Sequence, residues 1–264
     1  MKTLIAPLTL AIFLTACGQQ DSAPAPETTP PAEPEVSIYV AALDSPSRPA
    51  GDLERDAGRR PAEVLEFFGI EPAATVLEMF AGGGYYTELL ANVVGADGTV
   101  VAHMNTPLLK FTAEEYEKRH ADNRLPNVEI LTAENNELML DADHFDAITI
   151  ILNYHDLYWE SEEYSWAKID VPAFLAEIHK GLKPGGTLGI VDHAAAAGSP
   201  SETGSTLHRI DQAIVIAELE AAGFVLDGES DVLRNMDDDH SLGVFDPAIR
   251  FKTDRFVLRF KKPD

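Results

Sequence analysis

Cysteine is almost missing: Cys17 is the only one in 264 residues, so a domain folded downstream of it has neither an internal disulfide nor a cysteine-built metal cage. Basic residues are scarce as well. Lys and Arg number 20 against 44 Asp and Glu, a formal charge of −24, and a surface of that sign repels phosphate backbones and anionic headgroups. The composition therefore argues against a nucleic-acid partner. The acidity favours solubility and attraction of cationic ligands but carries no information on fold. No convincing internal repeat is present. What is there, 45% hydrophobic and 24% charged residues, suffices for one full-sized domain plus a modest extension.

The extension is at the N-terminus. Lys2 supplies a positive charge, Leu4 to Leu14 form an apolar run too short to span a bilayer, and Leu14-Thr15-Ala16-Cys17 closes it with small residues. This pattern resembles a bacterial lipobox. The resemblance implies an exported lipoprotein held at a membrane by acyl chains on Cys17 and facing the periplasm, and Gly18 in place of an aspartate implies the outer membrane. An ordinary cleaved signal peptide with a chance cysteine is the plainer alternative. Residues 1–17 are read as signal peptide and lipobox. Residues 18–46 are read as a tether, rich in Pro, Ala, Thr, Ser and Glu between Gln19 and Val36, where almost nothing large can be buried. Residues 47–264 are read as the folded domain.

Pro61 suits the first turn of a helix over Ala62 to Phe68, which Gly69 ends. Strand-like and helix-like runs then alternate, as in an α/β sheet with helices on both faces. Strands are expected at Thr75 to Met79, Thr99 to Ala102, Val128 to Leu131, Ala147 to Leu152, Thr187 to Asp192, Phe224 to Glu229 and Arg255 to Phe260. Helical spacing is found near Tyr85 to Val93, Ala113 to Arg119, Pro172 to Leu182 and Ile210 to Ala222.

Chemistry is written most densely in Val76-Leu77-Glu78-Met79-Phe80-Ala81-Gly82-Gly83-Gly84-Tyr85-Tyr86-Thr87. A buried strand ends near an acid, three glycines let the backbone turn tightly and approach a ligand, and a helix begins at once. Such a turn also serves plain packing, so its context decides. That context is Val128 to Glu134, then Phe145-Asp146-Ala147, then Leu182-Lys183-Pro184-Gly185-Gly186-Thr187. In the last segment Pro184 presets a turn and Gly185 permits the positive φ that follows.

From Pro61 to the end, this series resembles the class I (seven-strand) methyltransferases that use S-adenosylmethionine (SAM). More narrowly, the chain resembles a group of predicted exported bacterial methyltransferases with similar Asn-Tyr-His-Asp and Asp-His segments. The resemblance implies a Rossmann-like, doubly wound α/β sheet of order 3-2-1-4-5-7-6 with the last strand antiparallel. SAM would lie across the carboxyl ends of the first four strands. By the same resemblance Gly82, Gly83 and Gly84, with Ala81, pass beneath the methionyl part, Glu78 organises the loop, and Tyr86 and Asn153 border the pocket. Asn105 stands where the family has an acid that accepts from both ribose hydroxyls, and an amide is a poorer bidentate acceptor. Glu134 and Asn135 fall near the adenine. Phe80 replaces the first glycine of the family's motif, which implies a less open loop.

A second constellation, Asn153-Tyr154-His155-Asp156 and Asp192-His193, follows two strands expected to be neighbours. Methyl transfer from a sulfonium is an in-line displacement governed by alignment, and His155 or His193 can act as base on an alcohol, amine or phenol, with Asp156 and Asp192 beside them. Residues of these types also cap helices and satisfy turn amides. If strand geometry persists, only one of each adjacent His and Asp pair faces the cleft. The same four side chains support a rival, a metal-dependent hydrolase or lyase on this fold, and a non-catalytic nucleoside-binding lipoprotein is a third reading. In the methyltransferase reading no residue is assigned to a metal, and a small-molecule acceptor is expected.

Three further segments complete the reading. Arg55-Asp56 and Arg59-Arg60 are taken as a solvated charged face in preference to the lid that the resemblance implies. His208 and Asp211 are taken as helix-capping residues in preference to members of the site. Asp237-Asp238-Asp239-His240 lacks the ligand spacing of a calcium loop and is read as an acidic loop.

Overall fold

The computed structural model describes residues 36–264; the segments read as signal peptide and lipobox, with Cys17, and the part of the proposed tether up to residue 35 lie outside the described residues. Among the described residues no helix is long and apolar enough to cross a membrane.

Three helices precede the sheet: α1 (Ile38–Leu43), α2 (Ala50–Arg59) and α3 (Pro61–Phe68). The sheet and its crossovers follow as β1 (Thr75–Met79), α4 (Tyr85–Val94), β2 (Thr99–Met104), α5 (Thr106–His120), β3 (Val128–Thr132), β4 (Phe145–Ile151), α6 (Val171–Gly181) and β5 (Leu182–His193). The short α7 (Thr203–Leu207), then α8 (Gln212–Ala221), β6 (Val225–Ser230) and β7 (Arg255–Lys261) complete the chain. The seven strands lie in the order β3-β2-β1-β4-β5-β7-β6, as expected. β1 to β5 are parallel to their neighbours, and β7 runs antiparallel to both β5 and β6.

Central strands in such a sheet are covered on both faces and therefore read as apolar runs. One face packs Leu77, Ile148, Ile150, Leu188, Ile190 and Leu258 against Phe174, Leu175 and Ile178 of α6 and Val215 and Leu219 of α8. The other packs Val76, Ala147, Val191 and Val257 against Val64, Leu65 and Phe68 of α3 and Leu89, Leu90 and Val93 of α4. At Gly189 in β5 the ring of Phe68 comes so close that a Cβ would sit 2.6 Å from it. Glycine is needed there to let α3 onto the sheet.

Helix starts follow local chemistry. Asn105, Asp170 and Asp211 each accept a backbone N–H at the N-termini of α5, α6 and α8, and Pro61 opens α3 as expected. The turn expected at Pro184-Gly185 forms an interruption within β5: Gly185 holds φ 72°, and the pairing with β4 jumps from Leu182 to Thr187.

Two corrections concern the N-terminal part. The tether assignment runs too far, because α1 belongs to the domain: Ala42 is buried and the Tyr39 hydroxyl donates to the Ile70 carbonyl at 3.0 Å. Its apolar residues directly follow a low-complexity stretch, which hid the boundary. Likewise α2 was not anticipated as a helix of its own, since the residue it buries is the charged Asp52 while its Leu53 is exposed. The partners of its charged residues come from distant segments.

Candidate functional site

The loop after β1 leaves the sheet through Phe80, a non-glycine residue with φ 57°, and its neighbour strand β4 ends the same way through Leu152 with φ 61°. Left-handed conformations cost a side-chain-bearing residue about 1–2 kcal/mol, so packing must hold both. For Phe80 the packing is evident. Its buried ring stacks on Trp166 and Phe174 and meets His103 edge-on. The Phe80 amide donates to Nδ1 of His103, and the Ala81 amide to the His103 carbonyl. Burial pushes the His103 imidazole down to about 4, which keeps it neutral with Nδ1 free to accept. Phe80 thus turns its bulk into the core.

Between these two strand ends lies a cleft of about 230 Å³. It is lined by Glu78, Ala81, Gly82, Gly83, Tyr86 and Asn153, all expected there, together with Phe80, Leu108, Leu152 and the unexpected Arg55, Arg59 and Tyr85. Glu78 is buried and accepts from the Thr87 hydroxyl. Burial pushes its carboxyl up to about 8, against the opposing pull of Thr87, Arg119 and Arg59. Arg59 lies over the rings of Tyr85 and Tyr86, 4.5 and 5.8 Å from their centroids. Burial and the neighbouring Arg55 lower its pKa, partly offset by the tyrosines and Asp52.

The glycine loop is clamped from outside. Arg119 of α5 donates from Nε to the Gly83 carbonyl at 2.7 Å and from its guanidinium to Asp52 and Glu88, both buried. A Cβ at Gly83 would lie 2.2 Å from Glu115 Oε2, and one at Gly84 2.8 Å from Arg119 Cδ. Gly84 sits at the N-cap of α4 with φ 77° and serves this packing. Asp52 also pairs with Arg55, and Arg48 with Asp56. The solvated charged face expected around Arg55 and Asp56 is therefore corrected. These charges form a partly buried ion-pair network that walls the cleft, and their partners in α4 and α5 are invisible in local sequence.

Asn105, Glu134 and Asn135 form a separate group beyond Leu108. Asn105 uses Oδ1 to cap α5 through the Leu108 amide and its Nδ2 to reach Asn135 Oδ1, while Glu134 accepts from the Thr106 amide. None of the three lines the cleft.

Asp192 and His155 meet, as neighbouring strand ends should allow. His155 lies in a single 3-10 turn, His155–Tyr158, so strand alternation does not apply and both His155 and Asp156 join the cluster. Asp192 Oδ1 lies 2.7 Å from His155 Nδ1, and its Oδ2 accepts the His155 amide. Asp156 takes Asn153 Nδ2 on Oδ2 at 2.9 Å, and its Oδ1 lies 3.3 Å from both His155 Nε2 and His208 Nδ1. Burial lowers the His155 pKa, but the charges of Asp156 and Asp192 outweigh it and push the imidazole up to about 9. His193, next along β5, bonds Thr253 through Nδ1 at 2.7 Å, with its ring centroid 5.8 Å from that of His155. Burial, with the charges of His155 and Arg255, pushes it well below the usual histidine value. His208 corrects the capping expectation by joining this cluster, whereas Asp211 caps α8 as expected. The Asp237 to His240 segment is an anchor: Asp238 is buried against Arg209, and His240 meets Asp254.

Strand order, the glycine loop after β1 and the cleft at the ends of β1 and β4 define the class. The chain has the fold of the class I methyltransferases. A family model for protein-L-isoaspartate(D-aspartate) O-methyltransferase matches residues 55–153. The ubiquinone/menaquinone biosynthesis C-methyltransferase UbiE of Shewanella piezotolerans is 29% identical over 130 residues, which is 49% of this chain and 46% of that protein. The UbiE of Ectopseudomonas mendocina is 26% identical over 130 residues, 49% of this chain and 45% of that one. The chain thus spans about half the length of the curated relatives it matches. Among solved structures, a SAM-dependent methyltransferase from Aquifex aeolicus has a TM-score of 0.54 at 24% identity, covering 81% of this chain and 98% of that one. One from Mesorhizobium loti has a TM-score of 0.53 at 12% identity, covering 77% and 97%. At these identities the structural likeness is one of fold.

SAM is the cofactor this superfamily implies, and the cleft fits its chemistry. A carboxylate-bearing, cationic ligand meets two guanidinium groups and Glu78 in one concavity beside exposed loop backbone. The volume of about 230 Å³ falls below the roughly 300–1,000 Å³ of small-molecule sites, enough for the amino-acid end of such a ligand.

Proposed function

We propose that this chain is a SAM-dependent methyltransferase acting on a small-molecule acceptor, exported and anchored to the outer membrane through lipidated Cys17. The observation that carries the reading is the cleft itself, set at the carboxyl ends of β1 and β4 with Glu78, Ala81 to Gly83, Tyr86 and Asn153 on its wall. SAM supplies a methyl group activated on a sulfonium. This chain's residues supply alignment, which dominates an in-line displacement: Arg55 and Arg59 hold a carboxylate, the Phe80 to Gly83 backbone borders the methionyl end, and Asn153 borders the acceptor side.

The group of His155, Asp156, Asp192 and His193 belongs to the acceptor side in this reading. Asn153 joins it to the cleft, being both a lining residue and the donor to Asp156. His155, held as an imidazolium between two acids, donates a proton or hydrogen bond more readily than it accepts one at neutral pH. The isoaspartyl family model ends at residue 153, before this group, and so offers no guide to the acceptor. The formal net charge of −24 over the sequence disfavours nucleic acid as the acceptor.

Calorimetric titration of SAM into the purified chain tests the reading. Saturable binding is expected, and it should be lost in Ala81→Trp, where a large side chain fills the cleft, while thermal unfolding stays cooperative. No heat at millimolar SAM with a folded protein would overturn it. For the anchor, Cys17→Ser should move the chain from the membrane fraction to the soluble fraction.

A further inference from the structure

We propose that His155, Asp156 and His208 form a binding site for a divalent transition-metal cation, best matched by Zn²⁺, with Asp192 and Asn153 as its supporting shell.

The donors come from two separate segments, the 3-10 turn after β4 and the residue that ends α7. One ligand atom from each, His155 Nε2, Asp156 Oδ1 and His208 Nδ1, falls within 4.8 Å of the others. Asp156 Oδ1 lies 3.3 Å from each nitrogen. That is longer than the roughly 2.7–3.2 Å of N–H···O hydrogen bonds. It equals the edge of a tetrahedron whose metal–ligand bonds are about 2.0–2.1 Å, the values for zinc bound by histidine and carboxylate.

Proton placement points the same way. Asp192 Oδ1, a carboxylate oxygen, can only accept, so at 2.7 Å the proton is on His155 Nδ1. That leaves Nε2 as the ring atom beside Asp156 Oδ1, where a metal cation would take the place of the Nε2 proton, since histidine ligates through a deprotonated nitrogen. A carboxylate behind the distal nitrogen of a ligating histidine is the usual support of a zinc site, since it fixes the tautomer and the ring plane. Here Asp192 is fully buried and further fixed by the His155 and His193 amides. Asn153 Nδ2 on Asp156 Oδ2 at 2.9 Å orients the carboxylate in the same manner. His208 is set in place by its left-handed backbone, φ 53°, and by contact with Trp159 and Phe245.

Two histidines and one carboxylate leave a fourth tetrahedral position, as in catalytic and not structural zinc sites. Asn153 links the cluster to the cleft wall, so an oxygen-bearing acceptor is the chemical class suited to that position. The metal assignment itself does not depend on SAM.

The test uses the full chain, stripped with chelator and titrated with Co²⁺ alone, then with Zn²⁺ in competition. One equivalent of Co²⁺ with visible bands of tetrahedral intensity is expected, displaced by Zn²⁺. His208→Ala and Asp156→Asn should each weaken binding by more than about 100-fold, and Asn153→Ala by about 10–100-fold as a supporting residue. His144→Ala, at an exposed histidine elsewhere, should leave binding unchanged. Circular dichroism of each variant shows that it is folded. Absence of stoichiometric uptake by the wild-type chain, or equal uptake by folded His208→Ala, overturns the assignment and leaves an imidazolium bridging two carboxylates. A chain that takes up metal but not SAM keeps this site and fails only the cofactor reading.

Discussion

Phe80 and Leu152 leave adjacent parallel strands with φ 57° and 61°, and both line the same cleft. Neither is glycine, so each turn is maintained against a local cost of about 1–2 kcal/mol. The two should respond differently to Gly. Phe80→Gly removes the local cost but also a buried ring, whose loss costs about 3–5 kcal/mol, for a net destabilisation of about 1–4 kcal/mol. Leu152 is only half-buried, and Leu152→Gly should change stability by less than about 1.5 kcal/mol. Urea unfolding of the two variants checks the contrast. Equal losses would mean that packing does not set the difference between these turns.

Arg119 joins α2, α4 and the glycine loop through Asp52, Glu88 and the Gly83 carbonyl. Asp52 and Glu88 are nearly inaccessible, at 1% and 0% exposure, so Arg119→Ala strands buried charge and should cost about 3–5 kcal/mol. Arg119→Lys keeps the charge but lacks the fork that reaches three partners, and should fall between the two. Chemical denaturation measures both. The result that would contradict the clamp is an Arg119→Ala variant as stable as the parent chain.

Glu78 gives the molecule a distinct pH dependence. Its folded-state pKa of about 8 lies above the ordinary 4.5 because the carboxyl is buried, so folding takes up a proton between those values. The stability associated with the neutral acid is complete below 4.5 and is lost as pH rises through about 8. Glu78→Gln removes the titration and keeps an acceptor for the Thr87 hydroxyl. The parent chain should lose on the order of a few kcal/mol between about pH 5 and pH 8.5 that the variant does not lose. Parallel slopes would place Glu78 ionised in the native protein.

How much of this was legible depended on where each residue's partner lies. The strands of the buried sheet were readable because burial on both faces writes apolar runs such as Ala147 to Ile150 directly into the chain. Turn chemistry was readable too, at Pro61, Gly185 and Asp211. The strand order came from resemblance. By contrast α2 reads as a charged surface until Asp52 is seen to meet Arg119, 67 residues away. His208 reads as a cap until Asp156 lies beside it, and Asp238 reads as one of several solvated acids until Arg209 buries it. Charges whose partners are remote carry no local signature of burial. For that reason the cleft's glycines and Glu78 were found, and its two arginines were not.

Arg59 is the cleft residue whose role is most open to measurement. Among the described residues no hydrogen bond or ion pair to a protein group satisfies its guanidinium, which rests on Tyr85 and Tyr86 at the cleft wall. Neighbouring Arg55 and Arg48 are both paired. An unpaired guanidinium in a concave, partly desolvated site suits a carboxylate, and a charge-assisted hydrogen bond of that kind is worth about 1.5–3 kcal/mol. Arg59→Ala should therefore weaken SAM binding by roughly 10–150-fold. Methylthioadenosine has the same nucleoside and thioether but no carboxylate, and its affinity should change by less than about threefold on the same scale. Arg59→Lys should recover part of the loss, because the charge returns without the fork. If both ligands weaken equally, Arg59 supports the shape of the cleft through the tyrosines and does not hold the carboxylate.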